Sequence, residues 1–397
     1  MNQLLGTVTM GLRAPIINEG DDLAAICCDT LSRLQTEAGI RIEERDILGI
    51  TESVLARAQG NYVDCDTIAA DVRARLGGDE FGLLFPITSR NRFAICLRGI
   101  ARGAKHLWIQ LSYPSDEVGN ELFDHRLLPA GFSMDETYLE AEFRAKFPEI
   151  CHPITRLDYP AYYREICEEE GCSVDFIFSN DPLACLAYTD RVLTCDIHER
   201  QRTKALLEAA KPEAKIVALY ELMSESRSGS GYNAEYGLLG SNKATETSVK
   251  LFPRDAQSVV EAIQAKVREH FGVEIEVMIY GDGAFKDPAC KIWELADPVV
   301  SPGFTAGLQG TPHELKLKYL ADNAFKGLSS EEQAAKIREA IRAKSVEETT
   351  GMAGEGTTPR QITDLLGSLC DLTSGSGDKG TPLVYIKGYF RNYAEEI

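Results

Sequence analysis

The sequence predicts a globular protein of mixed α+β and α/β architecture with more than one structural unit. The chain has 397 residues, of which 44% are hydrophobic and 26% are charged, as is typical of folded domains. Short apolar segments alternate with helical patterns along much of the chain, which favours layers of strands covered by helices. Glycine-rich segments follow several predicted strands, so polar groups gather where those strands end.

The composition excludes several classes of protein. The chain carries 42 Lys and Arg against 61 Asp and Glu, a net charge of −19, whereas nucleic-acid binding needs a basic face. No apolar run reaches the length of a membrane span, and the N-terminus does not resemble a signal peptide. The 11 cysteines form no CxxC pair and are expected to be reduced thiols. We therefore expect a cytoplasmic protein that binds neither nucleic acid nor membrane.

The N-terminal part is predicted to alternate between strands and helices. Acidic residues within 18–22 suit the start of a helix, because they face the positive end of its dipole. Apolar residues then recur at helical spacing from Leu23 to Gly39. Residues 46–50 are predicted to be a short buried strand, and residues 51–60 a polar turn with a short helix.

Residues 84–225 are predicted to be an inserted α/β unit between two parts of a core, 1–83 and 226–397. Strand candidates alternate here with helical stretches, which indicates a sheet with helices packed on it. The strand candidates are 93–97, 106–111 and 174–178, and the helical stretches lie near 136–147 and 199–210.

The C-terminal part is predicted to contain three helices and two strands. Asp255 and Gly272 bound the first helix, and residues 273–279 alternate as a strand does. Ser329 opens a second helix with a capping box. The last elements are a helix at 359–372, a glycine-rich loop and a strand at 383–386.

Carboxylates on glycine-rich loops are the main candidates for chemistry. The sequence has no Walker, HExxH or GxSxG motif, no GxGxxG that opens a βαβ unit, and no metal-ligand spacing among its six histidines. Asp282 lies between two glycines directly after a predicted strand, where a carboxylate can hold Mg²⁺ or Mn²⁺ beside a phosphate. Lys286 could neutralise phosphate charge there. The alternative is a tight turn in which Gly-Asp-Gly is merely permissive.

Two further loops are rich in small and polar residues. Residues 373–382 could form an anion-binding nest, with Lys379 as a cation and Asp378 as a possible metal ligand, or could be a glycine linker between helix and strand. Residues 240–248 offer Lys243 and Glu246 among hydroxyl groups. The three loops together indicate a nucleotide and metal site more strongly than any one of them does.

Six segments of the chain share their order and spacing with a known family. They are 15–23 (PIINEGDDL), 46–60 (DILGITESVLARAQG), 236–249 (YGLLGSNKATETSV), 279–286 (IYGDGAFK), 303–310 (GFTAGLQG) and 372–388. Together they resemble the coenzyme F(420):L-glutamate ligases, γ-glutamyl ligases that act on a deazaflavin cofactor. The sequence departs from the family pattern at five positions: Glu246 replaces Asp, Arg57 replaces Lys, Val249 replaces Asn, Gly283 replaces Thr and Ser376 replaces Glu.

The resemblance implies a γ-glutamyl ligase-like core of mixed sheets and helices, formed by 1–83 and 226–397. It implies a homodimer that uses GTP, or ATP, with Mg²⁺ or Mn²⁺ to join L-glutamate to a carboxylate acceptor such as F(420)-0 through an acyl phosphate. The departures leave open a second hypothesis, a nucleotide- and metal-binding protein that has lost ligation or serves a regulatory role.

The resemblance also implies roles for individual residues. Lys243 and Lys286 are the catalytic candidates, and Glu246, Asp282 and Asp378 the metal ligands. Phosphate contacts would come from Arg57, Lys379, Ser374, Gly375, Ser376 and Gly377, and contacts to the base or ribose from Pro15, Ile16, Ile17, Glu52 and Ser53. We expect the inserted unit to form one wall of the acceptor pocket; the alternative is a separate domain for dimerisation or a partner protein.

Overall fold

The computed structural model describes residues 5–281, 301–344, 361–374 and 378–394, and the backbone of 284–286 and 293–295. The strands are β1 (Val8–Leu12), β2 (Ile47–Thr51), β3 (Tyr62–Asp64), β4 (Glu80–Leu84), β5 (His106–Leu111), β6 (Tyr138–Leu139), β7 (Ser173–Phe178), β8 (Arg191–Thr194), β9 (Lys215–Ala218), β10 (Asn242–Lys243), β11 (Ser248–Lys250), β12 (Glu276–Tyr280), β13 (Ala284–Lys286), β14 (Trp293–Leu295), β15 (Gly303–Phe304) and β16 (Leu383–Lys387).

The described residues also form α-helices. They are α1 (Leu23–Ala38), α2 (Glu52–Ala58), α3 (Cys65–Leu76), α4 (Phe93–Arg102), α5 (Glu140–Lys146), α6 (Tyr159–Glu169), α7 (Arg200–Ala210), α8 (Ala256–Phe271), α9 (Leu317–Asp322), α10 (Ser330–Ala343) and α11 (Ile362–Ser374). The mixed α/β content confirms the predicted fold class.

A five-stranded mixed sheet joins the two ends of the described chain. Its strand order is β1-β16-β2-β12-β15, so β16 lies between β1 and β2 and is antiparallel to both. Strands β2 and β12 are parallel, with Thr51 opposite Tyr280. Because the carboxyl ends of parallel strands meet at one edge, the residues after Thr51 and after Tyr280 start from neighbouring positions.

Helices cover both faces of the five-stranded sheet. Leu48, Ile50 and Val277 belong to an apolar cluster with residues of α1 and α8, whereas Ile47 and Met278 belong to a cluster with residues of α11. Successive strand residues point to opposite faces, so the uninterrupted apolar runs of β2 and β12 are explained by burial on both sides.

A six-stranded sheet of order β6-β7-β5-β4-β8-β9 is built entirely from residues 80–218. All neighbouring strands are parallel except β6, which pairs antiparallel with β7. The central strand β4 begins at Glu80, before the predicted start of the inserted unit at residue 84. The five parallel strands, numbered in chain order, run 3-2-1-4-5 across the sheet, so the direction of winding reverses between β4 and β8.

The six-stranded sheet shares an apolar cluster with the small sheet formed by β3, β10 and β11. Val63 of β3, with Val249 and Leu251 at β11, belongs to the same cluster as the buried residues of α3, α4 and the six-stranded sheet. Strands β3, β11 and β10 form a small antiparallel sheet at this junction. Residues 84–225 therefore pack directly on the rest of the chain.

Most predicted elements of the insertion are confirmed, including the strands near 106–111 and 174–178 and the helices near 140–146 and 200–210. The predicted strand at 93–97 is wrong, because these residues form the first half of α4. The five residues 93–97 are all apolar and buried, and the charged residues Arg98 and Arg102, one turn apart on the polar face of α4, come only after them.

Candidate functional site

The predicted nucleotide-binding segments meet at the edge where β2 ends. The backbone N–H of Ala14 donates to the carbonyl of Gly380 at 3.3 Å, and the N–H of Thr51 donates to the carbonyl of Pro382 at 3.1 Å. The guanidinium of Arg57 donates through Nε to the carbonyl of Ile17. The segment around 14–17, the start of α2 and the loop that precedes β16 are thereby brought together.

Exposure differs among the predicted nucleotide contacts. Pro15 is exposed and the Ile16 side chain is 80% exposed, whereas Ile17 is buried. Ser53 is partly buried. Ile16 therefore presents an apolar side chain to solvent beside the assembled loops.

In the loop that precedes β16, the structure describes Ser374 and residues 378–382. Ser374 is buried, and its carbonyl accepts a hydrogen bond from Oγ1 of Thr381. Asp378 and Lys379 are exposed. Gly375, Ser376 and Gly377 lie outside the described residues, so their predicted contacts to phosphate remain predictions.

Glu52 makes a buried ion pair that the sequence did not reveal. Nζ of Lys250 lies 2.6 Å from Oε1 and 2.8 Å from Oε2 of Glu52, and the two side chains are 10% and 1% exposed. Nδ2 of Asn242 approaches Oε1 at 3.5 Å. Glu52, predicted to contact the base or ribose, is thus engaged by a lysine in the interior. One sequence feature could have indicated that Lys250 is buried: it is flanked by Val249 and Leu251 within an apolar run.

Lys243 and Glu246 lie together in the hairpin formed by β10 and β11. Nζ of Lys243 is 2.7 Å from Oε1 of Glu246, whose side chain is 84% exposed. This hydrogen bond from Lys243 lowers the pKa of Glu246 below its ordinary value. Because Asn242 pairs with Lys250 at the open end of the hairpin, Glu246 in the turn lies at the opposite end from the Glu52–Lys250 pair.

The inserted unit borders Glu246. A cavity of about 180 Å³ is lined by Glu246 and Lys243 from the hairpin and by Arg90, Arg98 and Tyr162 from the insertion. The N–H of Lys243 also donates to the carbonyl of Asn91 at 3.2 Å. Residues of 84–225 thus lie beside Glu246, and their role as a wall of the acceptor pocket stays a prediction.

The predicted metal ligands are only partly described. Glu246 and Asp378 are exposed carboxylates on turns, and Asp282 lies outside the described residues. The side chain of Lys286 is likewise not described. Within the described ranges, no group of three or more His, Cys, Asp or Glu is placed to hold a metal ion. The metal site therefore stays a prediction.

Among the described residues, no helix is long and apolar enough to cross a membrane.

Comparison with known protein families gives the same family assignment as the six sequence segments. The family described as F420-0:Gamma-glutamyl ligase matches residues 11–388, a range that begins in β1, brackets the inserted unit and ends just after β16. No curated protein matches the chain. The family match confirms the resemblance and extends it over nearly the whole sequence.

Proposed function

The chain belongs to the F420-0:gamma-glutamyl ligase family, and from this premise we propose a nucleotide- and divalent-metal-dependent ligase. It joins L-glutamate to a carboxylate acceptor such as coenzyme F(420)-0, in a γ-glutamyl linkage. The observation that carries the proposal is the meeting of segment 14–17, Arg57 and the loop before β16 at the carboxyl end of β2. They are distant in sequence, and they extend the adjacent strands β1, β16 and β2, whose pairing brings them to one edge of the sheet.

The assembled loops are suited to a nucleoside triphosphate, GTP or ATP. Arg57 and Lys379 supply cations for the phosphates, and backbone amides of 374–379 supply further donors. Exposed Ile16 offers an apolar surface to the base. Because Arg57 also holds the carbonyl of Ile17, it couples the base-contacting segment to the phosphate-contacting helix α2.

The metal would be held by Glu246, Asp282 and Asp378. Carboxylate oxygens are the ligands that Mg²⁺ and Mn²⁺ prefer, and both described members of this set are exposed and accessible to a cation. When bound, the cation would neutralise charge on the transferring phosphoryl group. Lys243, beside Glu246, and Lys286 would add positive charge at the same place.

The reaction proceeds in two balanced steps. An acceptor carboxylate attacks the γ-phosphorus of the nucleotide, the bond to the β-phosphate oxygen breaks, and an acyl phosphate and the nucleoside diphosphate form. The amine of L-glutamate then attacks the acyl carbon, inorganic phosphate leaves, and the amine loses a proton. Both steps need stabilisation of negative charge more than a strong base.

The insertion forms one wall of the acceptor pocket. The 180 Å³ cavity beside Glu246 has a lining of mixed charge suited to a polar acceptor: the cations Arg90, Arg98 and Lys243 and the carboxylates Glu165, Glu169 and Glu246. Arg98 is held in place by Glu169 and Glu170, at 2.6 and 2.7 Å.

We also propose that the protein is a cytoplasmic homodimer. Light scattering of the purified protein tests whether it is a dimer.

The test combines turnover with direct binding. Purified protein is incubated with GTP or ATP, Mn²⁺ or Mg²⁺, L-glutamate and a panel of carboxylate acceptors that includes deazaflavins, and phosphate release and product mass are measured. Glu246→Gln and Asp282→Asn are expected to lower turnover at least about tenfold. Glu213→Gln, at an exposed position remote from the site in sequence, is the matched control.

The second candidate function is binding or regulation without ligation, favoured by the departures at Val249, Gly283 and Ser376. Calorimetry distinguishes the two. Tight nucleotide binding without turnover on any acceptor supports the second function, and absence of both binding and turnover contradicts each of them.

A further inference from the structure

Strand β1 is an open edge of the five-stranded sheet. It pairs with β16 on one side, and no strand of the described residues pairs with its other side. In an antiparallel pair, residues at the non-hydrogen-bonded positions direct their N–H and C=O groups away from the neighbouring strand. Residues 8–12 make no hydrogen bond to any described part of the chain outside β16. The outer backbone groups of β1 are therefore available to another strand.

The other edges of the two large sheets differ from β1. Strands β15 and β6 have two residues each, and three of the four residues of β9 are buried. Strand β1 has five residues, and four of them are partly or fully exposed. Proteins commonly protect exposed edges with charged residues, proline or very short strands. The sequence of β1, VTMGL, contains no charge and no proline, so neither its length nor its composition protects it.

Exposed apolar side chains flank this edge. Ile16, after β1, and Leu372, in α11, are 80% and 77% exposed, the two highest values among the large apolar side chains of the described residues. Leu5, just before β1, is 52% exposed. Apolar surface that is gathered in one place on a soluble protein marks a contact with another molecule.

The end of helix α11 lies beside β1. The helix packs against this strand, and the carbonyl of Ser374 at its C-terminal end accepts a hydrogen bond from the hydroxyl of Thr381. The Thr381 side chain in turn lies 3.2 Å from the position that a Cβ of Gly11 would occupy. Because Leu372 is two residues before Ser374, its exposed side chain belongs to the same part of the surface as β1.

A second copy of the chain is the occupant that suits this edge. Two copies of β1 can pair antiparallel about a twofold axis, because the same edge then serves both chains and neither keeps an open edge. Residues 5–12 carry no charge, so two chains of net charge −19 can meet there without bringing like charges together. A charged segment of another protein would find no opposite charge on this strand.

Pairing about Met10, the middle residue of β1, places apolar residues opposite each other. Val8 of one copy then faces Leu12 of the other, and such cross-strand pairs stabilise a sheet. A five-residue strand pair alone is smaller than a stable interface, which buries roughly 1,200–2,000 Å². The exposed side chains of Ile16 and Leu372 on both copies supply further apolar surface at the margins.

We propose that β1 forms the interface between two copies of this chain. The two β1 strands pair antiparallel, so the five-stranded sheets of both copies join into one continuous sheet, and Ile16 and Leu372 pack at its margins. The inference rests on the proposed homodimer and does not depend on the ligase reaction. A dimer that does not ligate would contradict the proposed reaction and still support this interface.

The oligomeric state of the full chain tests this interface. Sedimentation velocity at micromolar concentration should show that the wild type is a dimer. Met10→Lys places two ammonium groups opposite each other at the twofold axis and is expected to raise the dimer dissociation constant at least about tenfold. Leu372→Lys should act in the same direction, and because Leu372 is exposed, this variant should keep its fold by circular dichroism. Leu127→Lys, at an exposed position in the inserted unit, is the matched control and should leave the dissociation constant unchanged.

Chemical crosslinking provides a second measurement. A short bis-maleimide reagent should join two copies of Met10→Cys into a covalent dimer, because the two introduced thiols face each other. The wild type and Leu127→Cys are the controls and should give little covalent dimer. A monomeric wild type, a dimer that both Met10→Lys and Leu372→Lys leave unchanged, or no more crosslinking of Met10→Cys than of the wild type would each overturn the proposal.

Discussion

The ammonium group of Lys250 lies 2.6 Å from the carboxylate of Glu52, and the protein shields both from solvent. Glu52 is the first residue of α2, directly after β2, whereas Lys250 is the last residue of β11. The pair therefore fixes the hairpin that carries Lys243 and Glu246 to the edge where the nucleotide-binding segments meet.

Removing one member of the Glu52–Lys250 pair should destabilise the folded protein. Lys250→Met leaves the Glu52 carboxylate buried without its cation, and we expect the free energy of unfolding to fall by about 3–5 kcal/mol. Urea denaturation followed by circular dichroism measures the change. The double variant Glu52→Gln/Lys250→Met, which removes both charges, should recover a substantial part of the loss.

The matched control is Lys243→Met, in the same hairpin but in an exposed pair with Glu246. It should unfold at nearly the same urea concentration as the wild type, because exposed ion pairs contribute little. Equal destabilisation by Lys250→Met and Lys243→Met would contradict the interior pairing of Glu52.

Glu170 should make the stability of the insertion depend on pH. Hydrogen bonds from Arg102, and then from Arg98, lower the pKa of Glu170 below its ordinary value, against the opposing effect of burial. A carboxyl group with a lowered folded-state pKa stabilises the protein fully above its unfolded-state pKa, near 4.5. That contribution is lost as the pH falls through the lowered value.

The variant Glu170→Gln isolates this contribution. At pH 7 it should unfold with about 1–3 kcal/mol less free energy than the wild type, since charged hydrogen bonds contribute about that much. The difference should shrink as the pH falls below about 4. Glu213→Gln, at an exposed position, is the control and should show no such pH dependence. A difference that stays constant from pH 7 to pH 3 would refute the assignment.

Gly82 should tolerate no side chain while Cys185 is present. A Cβ at Gly82 would lie 2.2 Å from Sγ of Cys185. We expect Gly82→Ala to lower the free energy of unfolding by about 1–3 kcal/mol, the usual cost of overpacking. Gly82→Ala/Cys185→Ala should recover part of it, and Gly6→Ala, with open space around its Cβ, should change nothing. Failure of Cys185→Ala to compensate would show that another contact is limiting.

Arg57 should affect nucleotide affinity more than turnover. Arg57→Met removes the hydrogen bond to the Ile17 carbonyl and a cation near the proposed phosphates. We expect KM for the nucleotide to rise at least about tenfold with a smaller change in kcat, measured by phosphate release. Arg33→Met on α1 is the matched surface control. A loss in kcat at unchanged KM would instead place Arg57 at the reacting groups.

The sequence predicted elements whose polar and apolar residues alternate clearly. Helix α8 ends at Gly272 in the left-handed conformation, and Ser329 makes the predicted capping box. Asp255 precedes α8 as predicted, but its side chain makes no capping hydrogen bond. Helix α4 was mistaken for a strand because its first five residues are all apolar, and Arg98 and Arg102, which mark its polar face one turn apart, lie beyond the segment interpreted as a strand.

The sequence predicted which segments form the candidate site, but it did not predict which side chains from distant segments pair with each other. The family segments indicated that 15–17, Arg57 and 374–382 belong together, and the structure brings their described parts together. The Lys250 partner of Glu52 could not be foreseen, because the two residues are 198 positions apart.

The position of β16 between β1 and β2 has a consequence for protein synthesis. The six strands between 80 and 218 can pair while the ribosome is still translating the C-terminal part, but β1 has no neighbour until residues 383–387 emerge. The insertion is therefore free to mature first, and the enclosing sheet closes last. During that interval the nascent chain exposes two unpaired strand edges, where chaperone binding would protect it from aggregation.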